Sequence, residues 1–112
     1  RVDKIHGPAM TQAVYSVISS RLGDRNKAYE LFKQSYKPNE RPPFGVIAET
    51  PQSENPYFAT GAGGTLQAVL AGFGGLEITD EGIIQLDTPL PRGWQSLTIT
   101  GVGKDGKTFI SR

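Results

Sequence analysis

The chain has 112 residues, 14 of them glycine and 8 proline, so one modest core is the most it can build. Its 12 basic and 11 acidic residues leave a formal charge of +1 with no long run of either sign, which argues against a nucleic-acid or membrane partner. The lack of cysteine and the single histidine exclude a disulfide framework and thiolate or histidine-rich metal sites, and we expect neither metal nor cofactor.

No apolar run approaches the roughly 18 to 20 residues that cross a bilayer, and no charged-then-apolar leader is present, so a soluble chain is expected. The opening "RVDKIHGPAM" has no initiator methionine and carries a Gly-Pro helix signal at once. It reads as the start of a C-terminal piece of something longer.

Over residues 7–22, Met10, Ala13, Val14, Val17 and Ile18 recur at the spacing of one buried helical face. Pro8 suits the first turn of that helix, where its missing N–H would have no partner. Gly23 then supplies a left-handed terminator and Asp24 a cap for a second helix through about residue 36. Its apolar face is Ala28, Leu31 and Phe32, with Asp24, Arg25, Lys27, Glu30 and Lys33 toward water, which makes it an outer helix.

"YKPNERPPFGVIAETPQSENPYF" follows, where five prolines remove backbone donors and favour extended conformations. Only residues 44–48 suit a short strand. A loop of this length inside a compact domain is usually functional or disordered, and its aromatic and apolar residues argue against disorder.

A third, inner helix is expected over residues 61–72, capped by Thr60, with Leu66, Val69, Leu70 and Phe73 on its core face. Ala62, Gly63, Gly64, Ala68 and Ala71 leave little bulk elsewhere and let neighbours approach closely. Past Gly74-Gly75 the period changes to two. "LEITDEGIIQL" and "LTITGVGKDGKTFI" each read as a pair of strands, the second around an Asp105-Gly106 hairpin turn. Helices followed by strands predict an α+β chain with a boundary near Gly75.

Several residues have chemical potential. Thr60-Gly61-Ala62-Gly63-Gly64 at a helix start can attract an anion through free N–H groups, or can serve only tight helix packing. The strand required before a dinucleotide loop and the Lys-Ser/Thr required after a Walker loop are both missing. Glu49 follows the apolar run "FGVIA", which can bury its backbone and raise its pKa toward that of a general base. Glu54, between Ser53 and Asn55, reads as solvated. His6 is either a capping or surface residue or part of a site at the helix mouth. Tyr57, Phe58 and Trp94 can form platforms for sugar rings or pack a core, and Trp94 best fits an anchor between strands and helices.

In order, "HGPAMTQAVYSVISSRLGD", "AYELF", "PFGVIAETP", "NPYFATGAGGTLQAVLAGFGGL" and "LPRGWQSLTITGV" resemble the C-terminal end of glycoside hydrolase family 65. The resemblance implies an α+β fragment: residues 1–75 as the last helices of an (α/α)6 catalytic barrel, and residues 76–112 as a small antiparallel, sandwich-type C-terminal β domain or part of one. It further implies an inverting enzyme acting on an α-linked glucosyl disaccharide or oligosaccharide such as kojibiose or trehalose, with the remainder of its own barrel as partner.

In such barrels the site lies at the N-terminal mouth of the inner helices. His6, Glu49, Tyr57, Thr60 and Gly61 would all fall there, with Glu49 of "ETP" matching the general base and the others binding sugar. The general acid belongs to an earlier part of the barrel. Phosphorylases of the family look to carry a histidine and hydroxyls where this sequence has Tyr57 and Ala59, leaving Thr60 alone to hold phosphate. The alternatives are an inverting disaccharide phosphorylase and a noncatalytic sugar-binding or packing module. A hydrolase would imply a periplasmic or secreted location and a phosphorylase a cytoplasmic one.

Overall fold

A computed structural model of the chain describes residues 9–54 and 58–112. The expected helices and hairpins are present in an α+β arrangement. Helix α1 spans Ala9–Arg21 and α2 spans Arg25–Gln34. Gly23 sits at φ +84° between them, and the Asp24 carboxylate accepts from the Lys27 N–H at 3.0 Å, capping α2 as its sequence predicts. The two helices fold back on one another, with the buried Ser16 hydroxyl donating to the Ala28 carbonyl at 2.7 Å.

Helix α3 spans Ala59–Gln67 and continues in the wider π geometry over Ala68–Phe73. It packs on α1 through its small residues. A Cβ added to Gly61 would lie 3.3 Å from the Ala9 Cβ, one on Gly64 3.2 Å from the Ala13 Cβ, and one on Gly72 3.2 Å from the Ser20 Oγ. These pairs ascend together along both helices, so α1 and α3 run parallel.

That seam corrects two sequence expectations. The buried residues of α1 are Ala9, Gln12, Ala13, Ser16 and Ser20, whereas Met10, Val14 and Ile18 are exposed. In α3, Gly61, Gly64, Ala68, Gly72 and Phe73 are buried, but Leu66 is 64% and Leu70 42% exposed. Small side chains allow the two backbones to approach, so the seam forms on the small-residue faces and the bulky apolar faces point away. The π turn separates Phe73 from Leu66 and Leu70, because each wider turn makes later side chains lag behind the α-helical period.

Thr60 is also not the cap. Phe58 occupies the N-cap position, where its ring offers no oxygen to accept from the first helical N–H groups, and its own N–H donates to the Ile47 carbonyl at 2.8 Å.

Among the described residues the β portion consists of three separate two-stranded antiparallel ladders. Strands β1 (Glu40–Arg41) and β2 (Val46–Ile47) make a small hairpin inside the proline-rich loop. β3 (Leu76–Thr79) pairs with β4 (Gly82–Gln85), and β5 (Leu97–Val102) with β6 (Lys107–Ser111), at the two turns the sequence marks. Phe73, Ala28 and Leu90 form the buried core, with Tyr29, Phe32, Trp94 and Leu97 packed around it. Trp94 meets Phe73 edge-on at 5.4 Å and Tyr29 at 6.0 Å between ring centroids, so it does anchor the strand region to α2 and the end of α3. No helix among the described residues is long and apolar enough to cross a membrane.

Candidate active site at the helix ends

The proline-rich loop is held by side chains that supply the donors its prolines lack. Asn39, only 2% exposed, lies at the foot of the β1–β2 hairpin. Its own carbonyl accepts from the Ala48 N–H at 2.8 Å. Its side-chain Nδ2 donates to the carbonyls of Ala48 at 3.0 Å and Glu49 at 3.1 Å.

Two residues on, the Arg41 guanidinium reaches five carbonyls. Nη1 donates to Pro38 and Glu40, and Nη2 to Thr50, Pro51 and Ser53. A guanidinium carries five N–H donors and no acceptor, which suits a segment rich in carbonyls and poor in N–H groups. Neither Asn39 nor Arg41 stands out in the sequence. The available signal was the imbalance itself: a loop with five prolines needs side-chain donors, and an asparagine and an arginine lie beside them.

The loop is tied to the starts of both parallel helices. The Ala9 N–H, at the beginning of α1, donates to the Glu49 carbonyl at 3.4 Å, while Phe58, at the beginning of α3, donates to Ile47. Ala9 in turn lies against Gly61. Glu49, the first turn of α1, and Thr60 and Gly61 in the first turn of α3 are thus gathered at one end of the helix pair. The Glu49 side chain is exposed there, as is Thr60, while Gly61 is buried. Gly61 has no room for a side chain: a Cβ would stand 2.6 Å from the Phe58 ring.

The Thr65 hydroxyl, one turn further along, is engaged with the Gly61 carbonyl at 3.1 Å and the Ser35 hydroxyl at 3.0 Å. Glu54 is exposed, in keeping with a solvated residue. His6 and Tyr57, the other two sequence candidates, lie outside the described residues.

The chain's relatives are glycoside-cleaving enzymes. It is 58% identical over 103 residues to a kojibiose hydrolase of Mucilaginibacter mallensis and 56% identical over 104 residues to one of Flavobacterium johnsoniae, in each case over 92% of this chain. It is 37% identical over 103 residues, again 92% of this chain, to a protein-glucosylgalactosylhydroxylysine glucosidase of Dictyostelium discoideum, and more distantly similar to kojibiose phosphorylases. No family model matches the chain. The chain belongs with the glycoside hydrolase family 65-like enzymes and corresponds to a part of their C-terminal region. It spans 15% of the length of the two kojibiose hydrolases and 14% of the Dictyostelium glucosidase.

Proposed function

We propose that the complete enzyme is an inverting α-glucoside hydrolase acting on a disaccharide such as kojibiose or trehalose, and that this chain supplies its general base, Glu49. The observation that carries the proposal is the bracing of the Glu49 loop at the starts of both helices, with the Glu49 carbonyl accepting from Ala9 of α1 and from Asn39, and the Ile47 carbonyl accepting from Phe58 at the start of α3. In an inverting mechanism one carboxylate takes a proton from water, which attacks the anomeric carbon from the face opposite the leaving sugar. A second carboxyl group, roughly 6.5 to 9.5 Å from the first, protonates the departing oxygen. Glu49 is exposed at the helix ends, where a substrate and its attacking water have access. The general acid comes from an earlier part of the enzyme.

The helices support a barrel setting. Two parallel helices separated in sequence by an antiparallel one follow the inner–outer–inner order of an α/α barrel. Met10, Val14, Ile18, Leu66 and Leu70 leave an apolar face uncovered among the described residues, and the remaining barrel helices are its natural cover. Residues 76–112 then form the small β domain that follows the barrel, or part of it. Thr60 and Gly61 border the sugar site, with His6 and Tyr57 as further binding residues. The hydrolase reading is favoured over phosphorolysis by the identity to kojibiose hydrolases and by the hydroxyls present. Thr65 is committed to Gly61 and Ser35, which leaves Thr60 in the first turn of α3.

Replacing Glu49 by Gln in the complete enzyme tests the reading. Turnover should fall on the order of 10²- to 10⁴-fold, the usual contribution of a positioned acid or base. The wild-type enzyme should release glucose first as the β-anomer, detectable by NMR before mutarotation. Near-normal turnover of the Glu49→Gln enzyme would remove Glu49 from the mechanism, and a requirement for inorganic phosphate would replace hydrolysis by phosphorolysis.

A further inference from the structure

We propose that Asn39 is a positioning residue for Glu49, setting the direction in which its carboxylate points; the assignment rests on the reading of Glu49 as general base. The two carbonyls that Asn39 Nδ2 holds belong to the peptide units on either side of the Glu49 Cα. Both dihedrals about that Cα are therefore tied to one nitrogen, and with them the direction of the Cα–Cβ bond. An exposed glutamate on an unbraced loop would sample many directions and lose most of the advantage of proximity.

The clamp is itself well fixed. Asn39 is almost fully buried, its N–H donates to the Tyr36 carbonyl at 2.9 Å, and its carbonyl accepts from Ala48, which is fully buried. Downstream, Arg41 holds the carbonyls of Thr50, Pro51 and Ser53, so the chain leaving Glu49 is also fixed. Asn39 suits the role because its amide NH2 offers two donors at one point on a short stem. Aspartate has the same shape and no donors when ionised, and glutamine would place its amide one methylene too far.

The test uses the complete enzyme with Asn39→Asp, Asn39→Ala and Asn39→Ser, each alone and combined with Glu49→Gln. An α-glucosyl fluoride serves as substrate, because fluoride leaves without help from the general acid and residual turnover stays measurable. Misplacing a catalytic group by about 1 Å costs on the order of 10²-fold, so kcat should fall by about that factor for Asn39→Asp and Asn39→Ala, with KM unchanged. Asn39→Ser, which retains one donor, should lose less. In the Glu49→Gln background the same changes should cost nothing further, since there is no base left to aim.

A loss that persists undiminished in that background, a rise in KM without a fall in kcat, or variants that yield only unfolded enzyme would make Asn39 merely structural and overturn the proposal. Normal turnover in folded Asn39 variants, with Glu49→Gln inactive, would overturn it while leaving Glu49 as the base. A Glu49→Gln enzyme of near-normal activity would instead overturn the underlying reading.

Discussion

Gly75 joins the end of α3 to β3 at φ +68°, and a Cβ there would overlap the Leu86 carbonyl and come within 3.0 Å of the Thr88 hydroxyl. Gly23, at φ +84° between α1 and α2, has nothing within 4 Å of the same added atom. Alanine at either position is forced into the left-handed region, at a cost of about 1–2 kcal/mol. At Gly75 it must also displace backbone: Leu86 donates its N–H to the Gly75 carbonyl at 2.8 Å, and Thr88 is bonded to Phe73 at 3.1 Å. Overpacking of that kind costs about 1–3 kcal/mol, and a weakened hydrogen bond about 1 kcal/mol more.

Gly75→Ala should therefore destabilise the region by about 3–6 kcal/mol and Gly23→Ala by about 1–2 kcal/mol. Urea titration of the complete enzyme, followed in parallel by far-UV circular dichroism and activity, measures both. The pair matters more than either value, since the left-handed backbone is common to both sites and the Leu86 overlap belongs to one. Equal losses would show that backbone conformation alone governs both positions and that the close approach of residues 74–75 to 86–88 contributes nothing.

Two further outcomes follow from the packing. Among the described residues the buried Ser20 hydroxyl has no hydrogen-bond partner, so Ser20→Ala should raise the thermal midpoint, corresponding to on the order of 1 kcal/mol; a lower midpoint would contradict it. Trp94→Ala should cost about 2–4 kcal/mol through lost contact with Phe73, Phe32 and Tyr29, with Trp94→Phe recovering part of that in the same urea titration.

The features legible in the sequence were those set by local chemistry. Asp24 and Gly23 mark a helix boundary because a carboxylate satisfies free N–H groups and glycine tolerates positive φ. Residues 80–82 and 105–106 mark hairpins for comparable reasons. The features that escaped are set by partners distant in sequence. Arg41 looks like a surface cation until the carbonyls of residues 50–53 fold back onto it. Strand β1 was missed because Glu40 and Arg41 have no strand pattern, and they pair only because Val46 and Ile47 return alongside them.

The reversal of the buried faces has the same origin and bears directly on the site. A periodic set of large apolar residues, such as Met10, Val14 and Ile18, says that a helix face seeks cover but not which neighbour provides it. The glycine and alanine positions of α3 give the complementary information, since a backbone can approach closely only where no side chain intervenes. Gly61 against Ala9 draws the two helix starts close enough for one short loop to bond to both, through Glu49 to Ala9 and Ile47 to Phe58. A bulkier residue at Gly61 would separate those starts, and the two hydrogen bonds that bracket the Glu49 loop could not both survive. The small residues beside the site therefore act through distance, fixing the span over which the loop carries its carboxylate.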